Sequence, residues 1–401
     1  MPGDAVRADP DADPFLWLEE IEGADALAWV RERNAETLAW AEADPAFGAL
    51  RAELLALLDA DDRIPAVVQR GGRLYDHWRD AAHPRGLWRR TTPAAFRSGT
   101  PDWEILLDID ALAAAEGEPW VWAGALPLPP DHDRWIVELS RGGADATVAR
   151  EWDLPSRSFV ADGFALPEAK HEIAWVDRDT LLVGTETGPG SLTTSGYPRL
   201  LRRWRRGTAV ADAEVVLTAE PDDVAVGAWS DHTPGFARAL CTRAIDFYSG
   251  ETTLLLPDGT RALLPLPPSA EPHLVRDHLL VELREDWATG GTTYPAGALL
   301  AIVLADFLGG ARTFDILFAP GPTSALAALV PTRSRVVLDI LDDVRHRVVA
   351  RAPRPGGGWT AQPGPRLPAR GSGRRAAWDR GVGDALLLSS AVPRTPPRGA
   401  G

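Results

Sequence analysis

A loose repeat of about fifty residues is the feature that most restricts the fold of this 401-residue chain. A strand, a turn and a second strand recur near residues 67, 120, 173, 224, 275, 325 and 376. Four short strands per unit at such a period are typical of propeller blades. About 330 residues divided by this period predict six to seven blades. A large β-sandwich or several separate β domains is the alternative interpretation.

The first sixty residues differ, because their apolar side chains repeat at helical spacing. The first predicted helix lies within residues 19–43 and has apolar positions at Leu27, Val30, Leu38 and Ala41, with Trp29 and Trp40 on one face. Asp44 and Pro45 predict the N-cap and first position of a second helix. Its apolar positions are Phe47, Leu50, Leu54, Leu57 and Leu58, and it ends before the acidic residues 59–62 and Pro65. Two such helices need a surface on which to pack.

Charge and cysteine content exclude several kinds of partner. The chain has 42 Lys and Arg against 57 Asp and Glu, which gives a formal net charge of −15. This charge repels polyanions, so we expect neither nucleic acid nor a membrane as partner. The apolar run 298–304 is far shorter than the roughly 20 residues of a membrane span. The lone Cys241 and an acidic start without a signal-peptide pattern predict a cytoplasmic protein without disulfides. Lys170 is the single lysine, a bias that indicates a high-GC bacterial genome.

Three groups of polar side chains have some features of metal sites, but none has a full ligand set. The first is His77, His83, Asp76 and Asp80, and the second is His273, His278 and Asp277. Adjacent strand residues point to opposite faces, so histidines on the surface or in turns are the preferred interpretation. The third group is Asp108, Asp110 and Glu116. It lacks the oxygen spacing and central glycine of a calcium loop, which favours a solvated turn.

The most basic patch is Arg202–Arg206, which includes one tryptophan. Cations beside an aromatic ring can bind single-stranded nucleic acid. Strand alternation instead places Arg203 and Arg205 on one face and Arg202, Trp204 and Arg206 on the other. With the negative net charge, a structural role is favoured. We expect Cys241 to be buried as a small apolar side chain, and the 16 tryptophans to pack in the core and between blades.

Several stretches follow one another in an order that is typical of one enzyme family. The chain opens with DPFLWLEE from Asp13 and AWVRERN from Ala28, followed by DAAHPRGLWRRTT from Asp80, and by PDWEILLDID from Pro101 with Glu116-Gly-Glu. The most specific block is PEAK from Pro167, WVDRDTL from Trp175 and GPGSLTTSGYPR from Gly188. Together these stretches resemble the N-terminal region of the prolyl oligopeptidase family of serine peptidases, from about Asp13 to about Pro397.

The resemblance implies a mainly β fold: a seven-bladed β-propeller, with its last blade incomplete, preceded by an α-helical N-terminal segment. It implies a helical segment at 1–62, which packs on the hydrolase domain in the family, a propeller at 63–397 and a truncated tail at 398–401. In that family the propeller restricts access so that only short peptides reach the catalytic serine, and cleavage is typically after proline. The resemblance also implies no metal and no organic cofactor.

No catalytic residue can be assigned to this chain, because the family's catalytic residues lie in a hydrolase domain that follows the propeller. A nucleophile elbow would read Gly-x-Ser-x-Gly. Ser195 lacks the upstream glycine of that pattern and Ser191 lacks the downstream one. We therefore expect residues 1–401 to be inactive alone. We also expect a last blade that lacks two strands, with an open seam beside the first blade. A truncated gene, a frameshift or a split gene would each account for this end. The alternative is a non-catalytic propeller that binds a peptide or a separately encoded hydrolase subunit.

Overall fold

The computed structural model describes residues 13–256, 258–364, 372–392 and 395–400. The chain divides into two compact units, residues 1–63 and 64–401. The first unit is helical and the second consists mainly of antiparallel strands. A mainly β chain with helices at its start is therefore confirmed. Within the described residues, no helix is long and apolar enough to cross a membrane.

In the helical unit, a short 3-10 helix (Leu16–Glu19) precedes α1 (Ala24–Glu42) and α2 (Pro45–Leu58). The predicted cap is confirmed, because the Asp44 carboxylate accepts a hydrogen bond of 2.8 Å from the backbone N–H of Ala46. The first long helix lies within the predicted range 19–43 and begins at Ala24, because Gly23 at its N-cap has an extended backbone.

Seven sheets follow one another along the described part of the second unit. Sheet 1 contains β1 (Val68–Arg70), β2 (Arg73–Trp78), β3 (Leu87–Thr91) and β4 (Glu104–Asp108). Sheet 2 contains β5 (Trp120–Pro127), β6 (Arg134–Arg141), β7 (Thr147–Asp153) and β8 (Ser158–Phe159), with β9 (Ala165–Ala169) also paired to β7. Sheet 3 contains β10 (Glu172–Asp177), β11 (Thr180–Gly184), β12 (Leu200–Arg205) and β13 (Glu214–Thr218). Sheet 4 contains β14 (Ala225–Asp231), β15 (Arg238–Ala244), β16 (Gly250–Leu255) and β17 (Arg261–Leu263).

The remaining sheets complete this order. Sheet 5 contains β18 (Glu271–Val275), β19 (His278–Glu282), β22 (Leu299–Val303) and β23 (Asp315–Phe318), and the hairpin of β20 (Trp287–Thr289) and β21 (Thr292–Tyr294) is inserted in it. Sheet 6 contains β24 (Ser324–Pro331), β25 (Val336–Asp342), β26 (Arg345–Pro353) and β27 (Trp359–Pro363). Sheet 7 contains β28 (Ser372–Trp378), β29 (Leu386–Val392) and β30 (Thr395–Ala400). The connections include the short helices α3 (Pro93–Arg97), α4 (Ile109–Glu116) and α5 (Leu304–Leu308) and a 3-10 turn at Val210–Asp212.

The repeat in the sequence corresponds to these sheets, because each repeat position falls within five residues of the start of a sheet's first strand. Buried apolar clusters lie between every consecutive pair of sheets. Between sheets 1 and 2, for example, Trp88 and Trp135 lie with their ring centroids 5.1 Å apart. Each sheet therefore packs on its neighbours in sequence order, as propeller blades do.

The seam between the last and first sheets is closed, which corrects the prediction of an open one. Leu387 of β29 packs against a cluster that contains the fully buried Leu74. The backbone N–H of Gly71 donates a 2.7 Å hydrogen bond to the Asp379 carboxylate. Sheet 7 also has three strands in the described residues rather than the two predicted. These contacts close the ring even though, among the described residues, sheet 7 has three strands and sheet 1 has four.

Candidate functional site

The ring of sheets surrounds a channel that contains two cavities. One has a volume of about 590 Å³ and the other of about 1030 Å³. First strands of all seven sheets contribute to their walls, so the first strand of each sheet lies on the inner side of the ring. The smaller cavity lies where loops connect first and second strands, as at Gly71 and Arg333. The larger cavity lies among the other ends of these strands, as at Ala225 and Glu271. A concave site of this size is where a ligand would bind.

A charged bridge crosses the channel between the two cavities. Arg380, in the loop after β28, forms an ion pair of 2.9 Å with Asp231 of sheet 4. Its guanidinium also lies 4.7 Å from the centroid of the Trp229 ring. Arg380, Trp229 and Pro331 line both cavities, so these side chains form the partition between them. The bridge connects sheet 7 to sheet 4 across the ring.

The centre of this bridge is a fully buried carboxylate. The Asp231 side chain has no exposed surface and also pairs with Arg238 at 3.4 Å. The backbone N–H of Thr233 donates to it at 3.0 Å. Burial lowers the pKa of both Arg238 and Arg380, and Asp231 opposes that effect. A buried charge is tolerated only with oppositely charged and hydrogen-bonding partners. Both arginines therefore stabilise the buried side chain of Asp231.

Two partly buried carboxyl groups, one of them in the wall of the larger cavity, have raised pKa values. Glu172 begins β10 and lines the cavity, and Glu138 lies on β6. Burial, and secondarily the charge of Glu138, raise the pKa of Glu172 to about 7. Burial also raises the pKa of Glu138, whose carboxylate is 3.4 Å from the Thr147 hydroxyl. Glu172 therefore titrates near neutral pH, where most carboxyl groups are ionised.

One cluster in the described part of the chain has the composition of a metal site. Ligand atoms of Glu271, His273 and Glu282 lie within 4.8 Å of one another. Arg284, however, donates to Glu271 at 2.6 Å and pairs with Glu282 at 3.1 Å. This guanidinium contacts both carboxylates, so the cluster is better described as an ion-pair network than as a metal centre.

Among the described residues, neither predicted histidine group forms a set of three ligands, although each retains one contact between a histidine and an aspartate. His77 is a strand residue whose ring stacks on Trp122 and whose Nε2 lies 3.1 Å from the Arg85 carbonyl, so it is not a surface or turn histidine. His83 contacts Asp80 at 3.0 Å. His278 contacts Asp277 at 2.8 Å, whereas His273 is a partly buried strand residue beside Glu271. The sequence analysis grouped His273 with His278 and Asp277. It missed Glu282, because Glu282 lies on the next strand of the sheet, opposite Glu271.

The predicted acidic turn is wrong, because residues 109–116 form α4. Asp108 caps this helix by accepting from Ala111 N–H at 2.9 Å, and Asp110 accepts from Arg85 N–H at 3.0 Å. Glu116 pairs with Arg150 at 2.8 Å. The three carboxylates thus bind different protein groups.

The remaining candidates have structural contacts. Ser191 is buried, and its hydroxyl donates to the Gly188 carbonyl at 2.6 Å. In the basic patch, Trp204 is buried and Arg206 pairs with the buried Glu151 at 2.7 Å. Cys241 is buried as predicted, and burial raises the pKa of its thiol to about 11. These observations give the patch and the thiol structural roles.

Comparison with known proteins agrees with this architecture. The family model of the prolyl oligopeptidase N-terminal beta-propeller domain matches residues 3–233. An uncharacterized peptidase of Sinorhizobium fredii (strain NBRC 101917 / NGR234) is 35% identical over 353 residues, which are 85% of this chain and 49% of that protein. An uncharacterized peptidase of Rickettsia prowazekii (strain Madrid E) is 28% identical over 350 residues, which are 83% and 48% of the two chains.

A solved structure, that of a post-proline cleaving enzyme from Rickettsia typhi, is similar with a TM-score of 0.88 at 26% identity. The match covers 96% of this chain and 58% of that one. The chain spans about half the length of the curated relatives it matches. The family model covers more than half of the 401 residues, and the sheets have the propeller order that it describes. This chain therefore belongs to the prolyl oligopeptidase family, and its residues form the N-terminal helices and the β-propeller of that family.

Proposed function

We propose that these 401 residues are the propeller part of a serine-type endopeptidase that hydrolyses short proline-containing peptides. The observation that carries this proposal is the similarity of nearly the whole chain to the post-proline cleaving enzyme. Cleavage would take the acyl-enzyme route of serine peptidases. The nucleophile, base and oxyanion hole would come from a hydrolase domain, since no residue in this chain has been assigned to those roles.

The role of this part would be to select peptides by size. The bridge of Arg380, Asp231 and Trp229 divides the channel, so a folded protein could not pass through it. A short, flexible peptide would fit into either cavity. The ring would therefore keep large proteins away from a catalytic serine and admit oligopeptides.

The exposed apolar side chains of the helical unit support a protein partner. On α2, Leu54, Leu57 and Leu58 are 50%, 62% and 66% exposed. Burying a large apolar side chain stabilises a protein by roughly 1.5–3 kcal/mol. We propose that a hydrolase domain covers this helix, whether it is encoded in the same chain or separately.

A chimera tests the proposal. Residues 1–401 would be followed by the part of the Sinorhizobium peptidase that lies beyond its matched region. We expect the chimera to hydrolyse a proline-containing chromogenic peptide and to react with a fluorophosphonate. Residues 1–401 alone should do neither. Turnover by the purified 401 residues, together with their labelling, would contradict the assignment.

The alternative is a non-catalytic propeller that binds a peptide or a separate hydrolase subunit. The exposed Phe247 and Tyr248, at 89% and 87%, favour a protein contact at the rim of the larger cavity. A soluble chain that binds peptide, but whose chimera shows no turnover although it is folded, would favour this alternative.

A further inference from the structure

We propose that the smaller cavity binds the carboxylate group of a short peptide. The site, here called the arginine cavity, is the 590 Å³ space lined by Arg70, Arg276, Arg333 and Arg380. This inference rests on the proposed function only for the choice of a peptide as ligand. The charge and shape of the site stand independently of any hydrolysis.

The arginine cavity has an excess of positive charge. Its lining includes four guanidinium groups and one carboxylate, that of Asp379, and the buried Asp231 behind the lining pairs with Arg380. The two oxygens of this carboxylate accept hydrogen bonds from the backbone N–H groups of Gly71 and Gly381. The chain as a whole has a charge of −15, so the excess is local. A concave surface with one sign of charge concentrates ligands of the opposite sign.

Two of these guanidinium groups are held in a partly dehydrated position. Burial lowers the pKa of Arg70 and of Arg380, although Asp379 acts in the opposite direction on both. Arg70 donates to the Gln69 carbonyl at 2.7 Å, a neutral acceptor. An added anion would favour the charged form of Arg70, which burial disfavours.

The other two guanidinium groups are available for a ligand. Among the described residues, neither Arg276 nor Arg333 forms an ion pair with a carboxylate. Arg276 lies 5.6 Å from the centroid of the Phe236 ring, which orients its side chain. Guanidinium groups bind carboxylates through two parallel hydrogen bonds, and this geometry selects a planar anion.

The uncharged part of the wall fits an extended peptide. Its lining includes Pro127, Pro129 and Pro130 and the aromatic side chains of Trp229 and Phe236. The volume of about 590 Å³ falls in the range of small-ligand sites. The His232 imidazole lies 2.8 Å from the Trp175 carbonyl, and burial lowers its pKa, so it adds no charge at neutral pH. The combination points to a short peptide with one carboxylate held by the arginines.

A binding experiment on residues 1–401 tests this site without any hydrolysis. Four acetylated hexapeptides of the same alanine and proline sequence would be titrated by calorimetry. One has a free C-terminal carboxylate and one a C-terminal amide. The other two are amidated and have either one glutamate or one glutamine. We expect the carboxylate peptide, the glutamate peptide or both to bind about tenfold more tightly than the uncharged peptides, because guanidinium groups donate charge-assisted hydrogen bonds to a carboxylate.

Matched variants assign the binding to the cavity. Arg276→Gln and Arg333→Gln should each weaken binding about fivefold or more. Arg345→Gln is the control, because this exposed arginine lies at the opposite end of sheet 6 from Arg333. It should leave affinity unchanged, and melting curves would show that all three variants are folded. Added NaCl should weaken binding of the charged peptides only.

Three results would overturn the proposal. The first is equal binding, or no binding, of charged and uncharged peptides. The second is equal affinity of Arg276→Gln, Arg333→Gln and Arg345→Gln. The third is displacement of the peptide by inorganic phosphate at the same concentration that N-acetylglutamate requires. Such a result would indicate an unspecific anion site. Each result concerns binding alone, so it is distinguishable from failure of the chimera to hydrolyse a substrate.

Discussion

The two units of this chain differ in how far their leucines are buried, as Leu57 and Leu182 show. In the helical unit, Leu57 is 62% exposed and no described residue of α2 is buried. In the ring of sheets, Leu182 is fully buried and belongs to a cluster shared by sheets 3 and 4. The helices are defined by local signals such as the Asp44 cap. The sheets are stabilised by contacts with the next sheet. Regular secondary structure therefore does not imply a completed core, and the helical unit has apolar surface available for a partner.

The largest expected effect comes from equal substitutions in the two units. Leu182→Ala should reduce the free energy of unfolding by about 2–5 kcal/mol, because it leaves a cavity in a packed core. Leu57→Ala should change it by less than about 0.5 kcal/mol, because the side chain is already in water. Urea denaturation of both variants measures the difference. A similar loss of unfolding free energy in the two variants would contradict the difference in leucine burial between the two units.

A smaller loss is expected when the bridge across the ring is broken. Arg380→Leu leaves the buried Asp231 with Arg238 as its remaining cationic partner, so the free energy of unfolding should fall by about 1–3 kcal/mol. Arg345→Leu, which removes an exposed arginine, is the matched control and should stay within about 0.5 kcal/mol. Equal stability of the two variants would show that the bridge contributes nothing to the ring.

The ionisation of Glu172 gives a still smaller, pH-dependent effect. Its folded pKa of about 7 lies above the usual carboxyl value, so the protonated group stabilises the fold at low pH, and this contribution is lost as the pH rises through about 7. Glu172→Gln keeps the neutral form. The variant should therefore match the wild type near pH 4.5 and exceed it above pH 7, by on the order of 1 kcal/mol after solvent screening. Melting temperatures from pH 4.5 to 8.5 measure this. A constant difference across the range would contradict the assignment.

Cysteine labelling compares the units with the least disturbance of stability. Burial raises the pKa of Cys241 to about 11, so a disulfide reagent at pH 8 should react slowly with the folded chain. Leu57→Cys in a Cys241→Ser background should react at nearly the rate of a free thiol. If Cys241 reacted as fast as the thiol introduced at position 57, the core of sheet 4 would be accessible to solvent.

Much of the fold could be predicted from the sequence because its signals are local. Neighbouring residues determine the Asp44–Pro45 cap and the strands at Arg73 and Arg134. The fifty-residue period follows from the positions of such strands along the chain. The closed seam was missed because it depends on contacts between residues about 300 positions apart, such as Gly71 and Asp379.

The candidate site was less predictable for the same reason. Asp231 and Arg380 come together only when the ring closes, and no spacing in the sequence marks them as partners. The acidic group near Asp108 was misassigned because three alanines at 113–115 gave a helix signal that a turn interpretation ignored. Trp204 and Cys241 were predicted correctly, since strand alternation and side-chain size are sufficient to place them in the core.

Hydrogen exchange on residues 1–401 and on the chimera measures how well each unit is protected from solvent. It tests whether the sheets form a complete core while the helical unit lacks one of its own. In residues 1–401, we predict that amides of α1 and α2 exchange within about minutes, while those of β11 and β19 persist for about hours. In the chimera, α2 should become at least about tenfold more protected because its leucines are covered. Strong protection of α1 and α2 in residues 1–401, equal to that of β11, would contradict the account.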